Sequence, residues 1–160
     1  MTLYVLRHAR AGRRSAWKGD DDLRPLTKVG RRQAAGVVEL LAEREITRIV
    51  SSPYVRCRQS VEPLAARLRL PVDLADALAE GSGLHEVLRL LDMMGDDDAV
   101  LCTHGDIIRL LLEHLRDEGT KVRRRNGVPP MEKGSVWELD TRNGIVVRAT
   151  YHRPPPPAAK

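Results

Sequence analysis

Two short apolar runs in this chain each end in a histidine. Leu3-Tyr4-Val5-Leu6 leads directly into Arg7-His8-Ala9, and Ala99-Val100-Leu101-Cys102-Thr103 leads into His104-Gly105. Runs without polar alternation read as strands covered on both faces, as in a parallel sheet with helices on either side. Sites in open α/β sheets form at the carboxyl ends of strands, so Arg7, His8 and His104 are expected along one sheet edge. The second histidine is followed at once by a helical pattern, Asp106 to Leu112. A third segment repeats the design: Ile49-Val50 as strand, Ser51-Ser52-Pro53 as turn, then Arg56 in the first turn of a helix running through Ala66.

These positions suggest a pocket where imidazole meets an anion, and phosphate is the anion that fits best. Arginine offers a planar fork of donors matched to phosphate oxygens, and helix N-termini favour bound anions. A neutral imidazole nitrogen can attack phosphorus and carry the phosphoryl group, splitting one hard displacement into two easier ones. With Arg7 adjoining it, His8 is the better nucleophile candidate, and His104 is then a donor to the equatorial oxygens.

With these residues in view, the chain resembles the histidine phosphatase superfamily, also called phosphoglycerate mutase-like. The Arg-His-Gly signature of that family appears as the small-residue variant Arg7-His8-Ala9, shared with SixA-type phosphohistidine phosphatases. The second block is similar to Ser51 to Ser60 and the third to Thr103-His104-Gly105, so the resemblance covers roughly Thr2 to Tyr151. It implies a three-layer α/β/α sandwich with a mostly parallel central sheet. It also implies that His8 is the phosphorylated nucleophile and that Arg7, Arg56 and His104 bind the phosphoryl group. The family often places a Glu or Asp after the third strand to protonate the leaving group. Here that residue is Glu80, with Glu86 on the following helix in reserve; a carboxyl beside phosphate oxygens suits a general acid. The segments Arg7 to Gly12, Trp17 to Asp21 and Arg24-Pro25-Leu26 further resemble the C-terminal phosphatase domain of actinobacterial MutT-type proteins, which follows a Nudix domain and acts on nucleotide diphosphates. No Nudix box occurs in this chain.

The implied activity is a metal-independent phosphohydrolase, a histidine-type acid or phosphohistidine phosphatase, needing no cofactor. Its expected substrate is a phosphohistidine protein or a nucleoside di- or polyphosphate. The alternative from another class is a non-catalytic module that recognises phosphorylated partners, and the presence of all four pocket residues argues against it. A metal-dependent hydrolase requires clustered ligands, and His8, His85, His104, His114 and His152 show no such spacing. Asp96-Asp97-Asp98 reads as a solvated turn.

The formal net charge is +5, and the basic residues are bunched at Arg10, Arg13, Arg14 and Lys18, at Arg31-Arg32 and at Lys121 to Arg125. The first group follows the nucleophile closely and is expected to overhang the pocket, with Arg10, Lys18, Arg24 and Gly105 as substrate-binding residues. No nucleic-acid motif accompanies the charge. No segment reads as a signal peptide or a membrane span, so a cytoplasmic protein is expected. The two cysteines, Cys57 and Cys102, read as reduced packing residues.

At 160 residues one domain is expected, over 1–152. Thr27 is a good N-cap for a structural helix with Ala34, Val37, Val38 and Leu41 at helical spacing. Pro71 to Leu74 reads as a short strand and Leu84 to Met94 as a helix, with His85 on its surface. Arg116 to Gly134 reads as a polar loop able to act as a lid. Asn143-Gly144 marks a hairpin between strands 136–140 and 145–149. The Pro-rich tail, 153–160, is expected to be extended and disordered.

Overall fold

The computed structural model describes residues 1–156. Six strands and four α-helices follow in the order β1 Thr2–Arg7, α1 Lys28–Leu41, β2 Arg48–Ser51, α2 Val55–Leu68, β3 Val72–Leu74, α3 Leu84–Met94, β4 Ala99–Thr103, α4 Gly105–Asp117, β5 Val136–Arg142 and β6 Ile145–His152. They form one sheet of order β3-β2-β4-β1-β5-β6, parallel from β3 to β1 and antiparallel at β5 and β6. The mostly parallel α/β sandwich expected from the sequence is the fold observed.

Side chains on the central strands alternate between two cores, which explains why the strands read as unbroken apolar runs. Leu3, Val5, Ala99 and Leu101 face Ile108, Leu111 and Leu112 of α4, together with Trp137 and Leu139. Tyr4, Leu6, Val100 and Cys102 face Val37 and Leu41 of α1 and Val61 and Leu64 of α2. Each fully buried Leu or Val among these stabilises the fold by about 1.5–3 kcal/mol.

The helix and hairpin signals have direct physical counterparts. Thr27 Oγ1 accepts the Gly30 amide at 3.1 Å, capping α1. Asn143 and Gly144 both take positive φ, 53° and 76°, the requirement of a tight two-residue hairpin turn. Ser51, expected in a turn, closes β2 instead, and α2 runs on to Leu68, two residues past the expected end.

Two segments expected as loops are held at particular points. The segment expected as a lid is fastened at its C-terminal end: Trp137 Nε1 donates to Pro130 O at 2.8 Å, and the Gly134 amide donates to the carbonyls of Arg7 and His8 at 3.0 and 3.2 Å. The start of the Pro-rich tail is packed rather than free, because a Cβ at Gly36 of α1 would lie 3.0 Å from Pro155. Residues 157–160 of the expected disordered tail lie outside the described residues. Among the described residues no helix is long and apolar enough to cross a membrane.

Candidate active site

Arg7 ends β1, and His8 follows it into the pocket with only 6% of its surface exposed. Its Nδ1–H donates to the Ala9 carbonyl at 2.8 Å, which leaves Nε2 with a free lone pair. Burial, reinforced by the charges of His104, Arg56 and Arg7, pushes the His8 pKa down to about 3 against the opposing pull of the Ala9 carbonyl. The ring is therefore neutral at physiological pH, as attack on phosphorus requires.

His104 stands at the N-terminus of α4, with its ring centroid 5.3 Å from that of His8. Its Nε2 is 2.9 Å from Ser52 Oγ. Ser52 Oγ accepts the Tyr54 amide at 3.2 Å, and its rotatable hydroxyl can serve Nε2 as donor, the arrangement that places the imidazole proton on Nδ1. Tyr54 packs edge-on against the His104 ring, 4.7 Å between centroids, and Cys57 Sγ lies 3.5 Å from Nε2. Burial raises the Cys57 thiol, but hydrogen bonds with Cys102 and His104 outweigh it and hold the thiol below its ordinary range. Both cysteines are free and buried.

Arg56, in the first turn of α2, is 1% exposed. Its Nη1 donates to Asp21 O at 2.8 Å, and its Nη2 reaches Asp21 Oδ2 at 3.1 Å and Glu80 Oε2 at 3.3 Å. Arg7 Nη1 donates to Met131 O at 2.6 Å, and burial lowers its pKa, partly offset by Asp106. After these contacts, Arg7 Nε, Arg56 Nε and His104 Nδ1 remain buried without a partner among the described residues. Buried donors are rarely left unpaired in native structures, and three unpaired N–H groups on residues around one imidazole make a receptor for an anion.

The sequence-predicted residues divide in space. Arg7, His8, His104, Glu80 and Gly105 line one cavity of about 330 Å³, together with Asp106, Arg109 and Met131. Gly105 permits the close approach of Arg7: a Cβ there would lie 3.0 Å from the guanidinium carbon. Glu80 is held by Arg14 Nη2 at 3.0 and 3.1 Å as well as by Arg56. Glu86 is exposed in the first turn of α3, folded back on Gly83, and does not line the cavity.

Among the residues expected to bind substrate, Arg24 is instead 7% exposed. Its Nε is spent on Asp21 Oδ1 at 3.0 Å and its Nη1 on the Gly12 carbonyl. Arg10 is exposed and lines a separate cleft with Gln33 and Lys133. Lys18 is exposed and forms no ion pair among the described residues. The basic field is nevertheless real: beyond burial, the charges of Arg7, Arg24, Arg10 and Arg56 all press the Lys133 ammonium below its ordinary value.

Sequence reasoning missed Ser52, Asp21, Asp106 and the Met131 carbonyl. Ser52 had a usable signal, a hydroxyl one residue past a strand end. The contact between Arg7 and Met131 spans 124 residues and has none.

Comparison with known proteins is decisive at this point. The chain matches the model of the histidine phosphatase superfamily (branch 1) over residues 3–95, a stretch holding Arg7, His8, Arg56 and Glu80. The chain belongs to this superfamily. It is 39% identical over 159 residues to the 8-oxo-(d)GTP phosphatase of Mycolicibacterium smegmatis strain ATCC 700084 / mc(2)155, covering 96% of this chain and 48% of that protein. The chain thus spans about half the length of that curated relative.

Among solved structures, the putative phosphohistidine phosphatase SixA from Agrobacterium tumefaciens superposes with a TM-score of 0.78 at 22% identity, over 96% of this chain and 98% of that one. The protein histidine phosphatase SixA complexed with tungstate gives 0.72 at 20% identity, over 98% and 97%. Both share the fold described above. As a histidine phosphatase superfamily member, the chain carries the Arg-His signature with Ala9 in third place.

Proposed function

We propose that the protein is a metal-independent phosphohydrolase that works through a phosphohistidine on His8, with a nucleoside di- or polyphosphate or a phosphohistidine protein as substrate. One observation carries this reading: a neutral imidazole with its tautomer locked and Nε2 free, ringed by unpartnered buried donors of Arg7, Arg56 and His104. The 39% identity to an 8-oxo-(d)GTP phosphatase supports the nucleotide arm.

In the first step the Nε2 lone pair forms a bond to phosphorus while the bond to the leaving group breaks and its electron pair departs. Arg7, Arg56 and His104 neutralise the charge on the equatorial oxygens, so the barrier falls through preorganised electrostatics. Glu80 is ion-paired with Arg14 and Arg56 before substrate enters, and supplies the proton to the leaving group from its protonated form, reached as the phosphoryl oxygens take Arg56 from it. In the second step water forms the new P–O bond, the N–P bond breaks, and Glu80 takes the water's proton. An imidazole leaving group needs this acid less than an alkoxide does.

The test is phosphate release from a panel of phosphohistidine peptide, nucleoside diphosphates, sugar phosphates and an aryl phosphate, with chelator present throughout. Wild type is expected to turn over at least one compound, and His8→Ala is expected to lose at least about 10³-fold, as removal of a nucleophile does. Absence of turnover of every compound by the folded wild type would overturn the phosphohydrolase reading in favour of a phosphate-binding module.

A further inference from the structure

We propose that a groove beside the β1–α1 loop seats the base of a nucleoside phosphate whose terminal phosphoryl group lies against His8; this rests on the phosphohydrolase reading and narrows its substrate. The groove measures about 210 Å³ and is lined by Gly12, Ala16, Trp17, Pro25 and Leu26, with the exposed Arg13 and the buried Arg24 also in its wall. Apolar lining with a few charged groups at the edge is the usual make-up of a small-ligand site.

Trp17 is the feature that selects the ligand. The chain is only 3% aromatic, and its other tryptophan, Trp137, is 1% exposed in the core. Trp17, by contrast, is 38% exposed, on the loop that leaves the nucleophile. Its indole is fixed: Nε1 donates to Asp20 O at 2.8 Å, and a Cβ at Gly19 would lie 3.2 Å from Nε1 and 3.3 Å from Cε2 and Cζ2. An indole already held in place gives up little rotamer freedom when a flat ring stacks on it.

Charge and connectivity tie the groove to the phosphoryl pocket. Arg24, on the groove, pairs with Asp21 at 3.0 Å, and Asp21 pairs with Arg56 at 3.1 Å. Arg14 bridges from the same loop to Glu80 at 3.0 Å. A ligand with a flat apolar ring at one end and phosphates at the other matches this sequence of surfaces. A sugar phosphate carries no such ring, and in phosphohistidine the imidazole is bonded directly to the transferred phosphorus with no phosphate chain to span the two surfaces.

The experiment compares wild type, Trp17→Ala and Trp17→Phe on a purine nucleoside diphosphate and on inorganic pyrophosphate. Trp17→Ala is expected to lower the ratio of the two kcat/KM values about tenfold, and Trp17→Phe to restore most of it, since stacking needs an aromatic face. In parallel, a purine nucleoside monophosphate is expected to quench the fluorescence of Trp17 in His8→Asn, whereas inorganic phosphate leaves it unchanged. An unchanged ratio in Trp17→Ala together with no quenching overturns the base site. If wild type turns over neither compound, the nucleotide arm of the phosphohydrolase reading falls, and the quenching experiment alone decides the base site.

Discussion

His8 ties folding stability to pH through its proton. In the unfolded chain its pKa returns to the ordinary 6.5, while in the fold burial and the neighbouring charges hold it at about 3. Between those values the unfolded chain binds a proton that the folded one refuses. Folding stability from this residue is therefore fully present above pH 6.5 and is lost as pH falls towards 3, at up to about 1.4 kcal/mol per pH unit. Denaturant midpoints measured between pH 7 and about pH 4 are expected to fall more steeply for wild type than for His8→Asn, which has no proton to bind. Equal slopes would show that His8 titrates normally in the fold. Ser52 works at the same scale, aligning His104 through the 2.9 Å hydrogen bond between Oγ and Nε2.

The β1–α1 connection carries the proposed base site, and it is fastened at both ends. Arg10 N donates to Gln33 Oε1 at 2.9 Å and Thr27 N to Arg10 O at 2.9 Å, so α1 holds the start of the loop. Gly30 makes this possible: any Cβ there would collide with the Arg10 carbonyl oxygen. Gly30→Ala is expected to destabilise the protein by about 1–3 kcal/mol, the range for an overpacked site, and to lower kcat/KM by displacing Asp21 and Arg14. Thermal melting beside activity checks it; a variant as stable and as active as wild type would show that the contact is easily relieved. The elements around this loop were legible in the sequence because their signals are local: apolar runs for β1 and β4, Thr27 before α1, Asn143-Gly144 between β5 and β6. Arg7, His8 and His104 could be named as candidates because they end or directly follow β1 and β4, Arg56 because it opens α2, and Glu80 through the family resemblance. The loop itself was not legible. Arg24 reads as a free cation until Asp21 is seen beside it, and Asp21 reads as one of several surface carboxylates until Arg56 is seen beneath it.

For the whole molecule, the net charge of +5 and the basic groups around the site set how anions arrive. Exposed charges lose reach as salt shortens the screening length from about 30 Å at 0.01 M to about 8 Å at 0.15 M. The kcat/KM for a polyanionic substrate is expected to drop by about threefold or more across that range, and a flat profile would place the basic residues outside the approach path. The sheet meanwhile fixes the centre of the chemistry. β1 lies between β4 and β5, and the carbonyls of Arg7 and His8 are both bonded to the Gly134 amide. His8 thus follows directly from a strand paired on both sides within the sheet, while the groove and its ion pairs hang from a surface loop. Arg13 to Lys18 of that loop are exposed while Arg24 and Leu26 anchor it from within, so the surface beside the pocket can be rewritten residue by residue with the frame beneath it left in place.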